Sequence, residues 1–170
     1  MDRFPELNTA RLKLRQLQIE DIECLVKYAN NKKIADHIIN IPHPYQEPDA
    51  VFRISYVVQG FKNKTRFVFA VILKETGELI GEISLHLLPN KTSAELGYWV
   101  GEPFWNRGIA TEAIKAVLSF GFEKLALQAV FATCHAENKA SQKVLIKNGM
   151  AAGNTNGNVT QFILRKVESE

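Results

Sequence analysis

Hydrophobic and polar positions change period several times along the chain, and each change marks an element. Leu12 and Leu14 alternate with Arg11, Lys13 and Arg15, the period-two pattern of a half-buried strand over 11–15. Ile19, Ile22, Leu25, Val26 and Ala29 then recur at helical spacing, with Glu20, Asp21 and Glu23 in the first turn, where the helix dipole favours acidic side chains. The run Ile41-Pro42-His43-Pro44-Tyr45 predicts a loop, because each proline removes an amide donor and pushes its predecessor to extended geometry. A second helix is predicted from about Asp49 to Phe61 and a strand from Arg66 to Leu73, followed by a hairpin turn at Glu75-Thr76-Gly77-Glu78.

Leu79 to Leu88 and Ala94 to Val100, joined around Pro89-Asn90, continue an antiparallel meander. After Val100 the period changes: Ile109, Ala113, Ala116, Val117 and Phe120 mark a long amphipathic helix. Ala129 to Thr133 reads as a buried strand, and a further helix runs from Asn138 to Asn148, closed by Gly149. Asn156-Gly157 suits a type I′ turn between two short extended segments that end near Val167. With no repeat and no linker, these elements predict one α/β (α+β) domain over residues 1–170. Its mixed, mostly antiparallel central sheet should have about seven strands, flanked by about four helices.

Composition narrows the function classes. A chain of 170 residues can bury roughly 70% of its unfolded surface around one core, and 46% hydrophobic with 23% charged residues is ordinary for a globular protein. No stretch approaches the ~20 apolar residues of a membrane span, so no membrane association is expected. Met1 to Leu7 carries acidic residues and a proline where a secretory signal needs a basic and then an apolar segment, so a cytoplasmic location is expected. Cys24 and Cys134 are far apart and lack metal-ligand spacing; they read as reduced, and no metal is expected. The net charge is only +3, with basic residues interspersed among acidic ones, so no nucleic-acid partner is expected.

The segment that carries chemistry is Trp105-Asn106-Arg107-Gly108-Ile109-Ala110-Thr111-Glu112-Ala113, between a strand and a helix. Its glycine and small residues let the backbone approach a ligand, and successive N–H groups at a helix start form an anion cradle suited to a pyrophosphate. It lacks the Gly-Lys-Ser/Thr ending of a Walker loop and the three spaced glycines of a dinucleotide fingerprint.

This segment resembles the signature of the GNAT acetyltransferase superfamily, whose pyrophosphate loop reads Gln/Arg-x-x-Gly-x-Gly/Ala. Gly108 and Ala110 fill the last two fixed places, and Trp105 replaces the first. That replacement is similar to the RimJ/RimL branch, with its Tyr-Trp pair (Tyr98, Trp99) and its Trp-x-x-Gly-x-Ala-Thr-Glu-Ala run (Trp105 to Ala113). Leu7 to Leu12 resembles the branch's opening strand, Pro44-Tyr45 its helix-connecting loop, and Asn138-Lys139-Ala140-Ser141 its Asn-x-x-Ser motif.

The resemblance implies an acetyl-CoA-dependent N-acetyltransferase acting on a primary amine, either a peptide or protein N-terminus or a small molecule; the alternative is a non-catalytic acetyl-CoA sensor of the same fold. It implies that the pantetheine arm lies between two splayed strands and pairs with the backbone of Leu96 to Val100. Trp99, Val100, Asn106, Arg107, Gly108, Ile109, Ala110, Thr111, Asn138 and Ser141 would then hold the cofactor; Asn138 serves equally as a helix N-cap, the rings of Tyr98 and Trp99 serve mainly to fill the core, and Lys143, a candidate neighbour of the phosphates, reads rather as a solvated helix residue. An alkylammonium is mostly protonated at neutral pH, so a base is needed. Glu95 is the candidate by resemblance, with Glu82 and His86 as rivals on the neighbouring strand.

Many GNAT proteins place a tyrosine seven residues after the motif asparagine, where this chain has Leu145, so Ser141 becomes the candidate acid. Attack is expected to be direct, with a backbone N–H stabilising the oxyanion, because neither cysteine has a helper residue. The acceptor would meet Tyr45, Glu82, His86 and a short terminal hairpin of about 16 residues, whose shortness favours a peptide amine. Monomer and homodimer both remain open.

Overall fold

The computed structural model describes residues 1–167. Eight strands form one sheet: β1 (Leu7–Asn8), β2 (Leu12–Gln16), β3 (Arg66–Leu73), β4 (Leu79–Leu87), β5 (Ser93–Val100), β6 (Ala129–His135), β7 (Ala151–Asn156) and β8 (Val159–Arg165). Five α-helices accompany them: α1 (Ile22–Ala29), α2 (Lys32–Ala35), α3 (Glu47–Lys62), α4 (Ile109–Glu123) and α5 (Lys139–Lys147). The order across the sheet is β1-β2-β3-β4-β5-β6-β8-β7, antiparallel throughout except for β5 beside β6.

The two additions to the expected count are small. β1 is only two residues long, paired back onto β2, too short for any periodicity. α2 is one turn, capped by the Asn31 side chain accepting from the Lys33 amide, too short for a helical period to mark it. α3 starts at Glu47, two residues before the expected Asp49, because Pro48 occupies its first turn, where a missing N–H costs nothing.

The terminal hairpin turns at Gly157-Asn158 instead of Asn156-Gly157. Asn156 pairs with Val159, and among the two turn residues only Gly157 has a positive φ, so the arrangement is not type I′.

Alternation decides which side of the sheet each residue serves. Phe67 and Phe69 on β3 meet Phe120 of α4 edge-on at 5.5 and 5.6 Å, and Phe4 joins them through Phe69. With Leu85, Ile83 and Leu96, these residues fill the layer between the sheet and α4. On the opposite side α1 and α3 cover β2 to β4. The first helix is anchored there by Arg15, whose guanidinium donates to both carboxylate oxygens of Asp21 at 2.8 Å. That second side is left uncovered over β5, β6 and β8, where Phe131 and Ile163 are only half-buried and Glu95, Thr133, His135 and Gln161 are exposed.

Candidate active site

β5 and β6 pair at only three positions, Ser93↔Ala129, Ala94↔Val130 and Glu95↔Phe131, yet β5 continues to Val100 and β6 to His135. The two strands therefore separate after Glu95. On the β6 side, the backbone of Leu96 to Val100 is left without a ladder partner. Unpaired strand edges must be satisfied by something, and an extended amide-bearing chain entering the gap satisfies them by strand addition.

At the open end of this gap, β5 passes through a one-turn 3₁₀ segment, Glu102–Phe104, into the loop before α4. Asn106 (φ 58°) and Gly108 (φ 75°) are both left-handed, which curls the backbone into a concavity at the α4 N-terminus. Asparagine and glycine are the residue types that tolerate this conformation. Trp105 donates its indole N–H to the Val100 carbonyl at 2.6 Å, tying the loop to the end of β5.

A second tie comes from the β1–β2 turn. Arg11 donates from Nη1 to the Arg107 carbonyl at 2.7 Å and from Nε to Glu112 Oε1 at 3.0 Å, while the Thr9 hydroxyl and the Arg11 amide donate to Glu112 Oε2 at 2.6 and 3.1 Å. Burial alone would raise the Glu112 carboxyl, but the Thr9 and Arg11 bonds outweigh it and hold it below its ordinary range. Glu112 is thereby a buckle between the cradle and a turn 101 residues earlier, a role that nothing in the local pattern announces.

On the α4 side of the gap, Tyr98 from β5 meets Ser141 from the first turn of α5, oxygen to oxygen at 2.5 Å. Cys134 of β6 faces the same side and bonds the His135 carbonyl at 3.5 Å. Burial pushes the Tyr98 phenol up to about 12, so it stays protonated and able to donate, and burial likewise raises the Cys134 thiol. Both cysteines are free. Leu145, at the place where many relatives carry a tyrosine, is fully buried; beside the expected Ser141, a phenol arrives from the strand, since Tyr98, expected mainly as a core aromatic, bonds Ser141. Asn138 acts as an N-cap, its side-chain oxygen accepting from the Ser141 amide at 3.1 Å, so it orients Ser141. Lys143 is exposed.

On the opposite side, the three carboxylate and imidazole candidates have different surroundings. Glu82 is 5% exposed, accepts the Trp99 indole N–H at 2.7 Å, and pairs with Arg53 of α3 at 3.2 Å. The Trp99 ring is thus turned away from the α4 side and packed, and only its backbone faces the gap. Tyr45 is 4% exposed, and burial next to Glu82 raises its phenol strongly; it supports the floor instead of lining an open surface. His86 bonds Ser84 at 3.0 Å, and burial, with Arg66 and Arg53 nearby, pushes it down to about 4, which leaves it neutral at physiological pH. Glu95 is exposed and has no hydrogen bond or ion pair among the described residues. It stands at the last β5–β6 pair, where the gap begins.

The segment over this side is fastened to the cofactor-side loop. Glu102 accepts from Asn31 Nδ2 at 2.6 Å and pairs with Lys33 at 2.5 Å, and His37 lies 6.2 Å, ring to ring, from His135 at the end of β6. Residues 31–37 therefore bridge the C-terminal ends of the two splayed strands.

Residues 11–151 match the family described as acetyltransferase (GNAT) domain. The chain is 31% identical over 147 residues to the uncharacterized N-acetyltransferase YoaA of Bacillus subtilis, covering 86% of this chain and 82% of that protein. It is 34% identical over 80 residues to the ribosomal-protein-serine acetyltransferase of Escherichia coli, 46% of this chain and 44% of that one. Among solved structures, RimL, a ribosomal L7/L12 α-N-protein acetyltransferase in complex with coenzyme A, superimposes with a TM-score of 0.84 at 16% identity, covering 95% of this chain and 98% of that chain.

Proposed function

Because the chain belongs to the GNAT acetyltransferase family, in its RimJ/RimL-like part, and is an N-acetyltransferase that takes its acetyl group from acetyl-CoA, we propose that it acetylates the N-terminal amine of a peptide or protein by direct attack, with Glu95 as general base. The observation that carries this reading is the separation of β5 from β6 immediately after Glu95. It provides an unpaired strand edge for an amide-bearing arm and puts a free carboxylate at the point where that arm must end.

Acetyl-CoA supplies an activated thioester, and the residues present fit it. The backbone N–H groups from Arg107 to Thr111, with the left-handed Asn106 and Gly108, form an anion cradle at the α4 N-terminus, where the dipole favours negative charge. The edge of β5 from Leu96 to Val100 offers amide donors and acceptors to the arm, and one of its N–H groups polarises the thioester carbonyl.

Glu95, exposed and without a side-chain partner among the described residues, takes the proton of the incoming ammonium directly or through one water. Glu82 does not compete, since its oxygens are engaged by Arg53 and Trp99. His86, pushed down to about 4, is a weak proton acceptor at neutral pH. On the α4 side the Tyr98 phenol, bonded to Ser141, is the proton source for the departing thiolate, and Ser141 relays or orients that proton.

The acceptor side is broad and open: Thr133, His135 and Gln161 are exposed beside half-buried Phe131 and Ile163. An open sheet face accommodates a chain that continues beyond its amine. The protein acceptors named for similar ribosomal acetyltransferases point the same way.

The test is release of CoA thiol from acetyl-CoA against N-terminal peptides, ribosomal proteins, polyamines, aminoglycosides and free amino acids. Turnover on peptides supports the reading, turnover confined to a small amine overturns its acceptor, and binding of acetyl-CoA with no turnover favours a sensor.

A further inference from the structure

We propose that Arg11, which lies outside the loop motif, is a direct ligand of the pyrophosphate of acetyl-CoA; this rests on the acetyl-CoA reading above. The guanidinium is a planar fork with five N–H donors in fixed directions. Two of its three nitrogens are already committed, Nε to Glu112 and Nη1 to the Arg107 carbonyl. These two bonds leave the plane of the group little freedom.

The third nitrogen, Nη2, has no partner among the described residues. It points over Gly108: a methyl group added at that glycine would stand 3.4 Å from it. The free donor therefore borders the concave backbone at the α4 N-terminus. The Arg11 side chain is 44% exposed, so the approach from solvent is open.

Charge gives a second reason. Glu112 sits in the first turn of α4, favourable for the helix dipole but repulsive to a bound anion. Arg11 and Thr9 neutralise and orient that carboxylate, and the remaining face of the guanidinium adds a charge-assisted donor to the cradle. Delivery is rigid, because Leu12, next in the chain, is fully buried and the turn is closed by the Thr9 amide donating to the Leu12 carbonyl at 2.9 Å.

A donor lacking the phosphates shows whether an effect is confined to the phosphate cradle, and Glu112→Gln, which loosens the brace but keeps the Arg11 charge, separates bracing from contact: equal losses of CoA affinity in Glu112→Gln and Arg11→Ala overturn the proposal, whereas direct contact makes the Arg11→Ala loss at least about threefold larger. Steady-state rates are to be measured for the native protein, Arg11→Ala and Arg11→Lys with acetyl-CoA and with S-acetylpantetheine, together with calorimetric binding of CoA. One charge-assisted bond corresponds to about a 10- to 100-fold rise in the acetyl-CoA KM of Arg11→Ala, with kcat falling less than about threefold and the S-acetylpantetheine KM moving less than about threefold. Arg11→Lys, which keeps the charge without the fork, should fall between.

An equal rise for both donors, or an acetyl-CoA KM that stays within about twofold, overturns the proposal. If Arg11→Ala fails to fold, the same comparison between donors is read from Arg11→Lys, where equal effects overturn it as well. Failure of the native protein to bind CoA would instead sink the underlying reading.

Discussion

The two sides of the gap between β5 and β6 are built from different materials. The α4 side is made largely of backbone: left-handed turns at Asn106 and Gly108, the free edge of β5, and a loop pinned from above by Arg11 and from below by the Trp105 indole. The opposite side is made of side chains standing on a sheet, with a polar layer of Glu82, Arg53, Trp99 and Tyr45 and, earlier on β5, one carboxylate without a side-chain partner among the described residues, Glu95. Backbone geometry suits a ligand that never changes. Side chains on a rigid floor can be exchanged for others without disturbing the strands that carry them. On the proposed reading the chain separates what must stay constant from what sets the acceptor, by putting them on different faces of one sheet.

Four experiments would break or sharpen that contrast. Glu95→Gln removes the proposed base alone: kcat should fall by about 10²-fold or more, while calorimetric affinity for CoA stays at the native value. A loss of affinity would mean that the two sides are not separate. Arg53→Ala leaves Glu82 buried with only the Trp99 donor, a loss of about 3 kcal/mol, or roughly 6–12 °C in Tm at this chain length, to be read by thermal denaturation. An unchanged Tm would show that the floor is not what holds this face.

Gly108→Ala forces a side chain into φ 75°, which costs about 1–2 kcal/mol, and should raise the acetyl-CoA KM about tenfold with little change in kcat. The smallest effect concerns pH. His86 is depressed from its ordinary 6.5 to about 4 in the folded chain, so below pH 6.5 the unfolded chain binds the extra proton and the folded one does not. Stability contributed by the neutral, half-buried ring is complete above 6.5 and is lost as pH falls toward 4. His86→Gln should flatten the Tm profile in that window, and an equally steep profile would assign the dependence to other groups.

The contrast also explains what was legible. Trp105 to Ala113 could be read from the sequence because a left-handed turn before a helix admits few residue types, and those types are visible as letters. The splay was readable only through the resemblance, since no pattern within Ala94 to Val100 or Ala129 to Thr133 says where two strands stop pairing. Tyr98 with Ser141 and Arg11 with Glu112 were all in view, but partners 43 and 101 residues apart leave no mark in local periodicity. Glu82, His86 and Glu95 looked alike in sequence as polar positions on adjacent strands. Register and the approach of α3 made one an ion-pair partner, one a neutral, half-buried ring and one a free carboxylate.

The separation of β5 from β6 after Glu95, with the donor proposed on the α4 side and the acceptor on the other, has a consequence for the order of events in a catalytic cycle. On the proposed mechanism the two reactants meet end to end through the sheet instead of sharing one cavity, so each product retreats by the way its parent came. Spent CoA should therefore compete with acetyl-CoA but not with the amine, and a long acetylated tail can remain on its own face while a new donor loads behind it. Double-reciprocal plots should intersect, as they do when both reactants must be present at once.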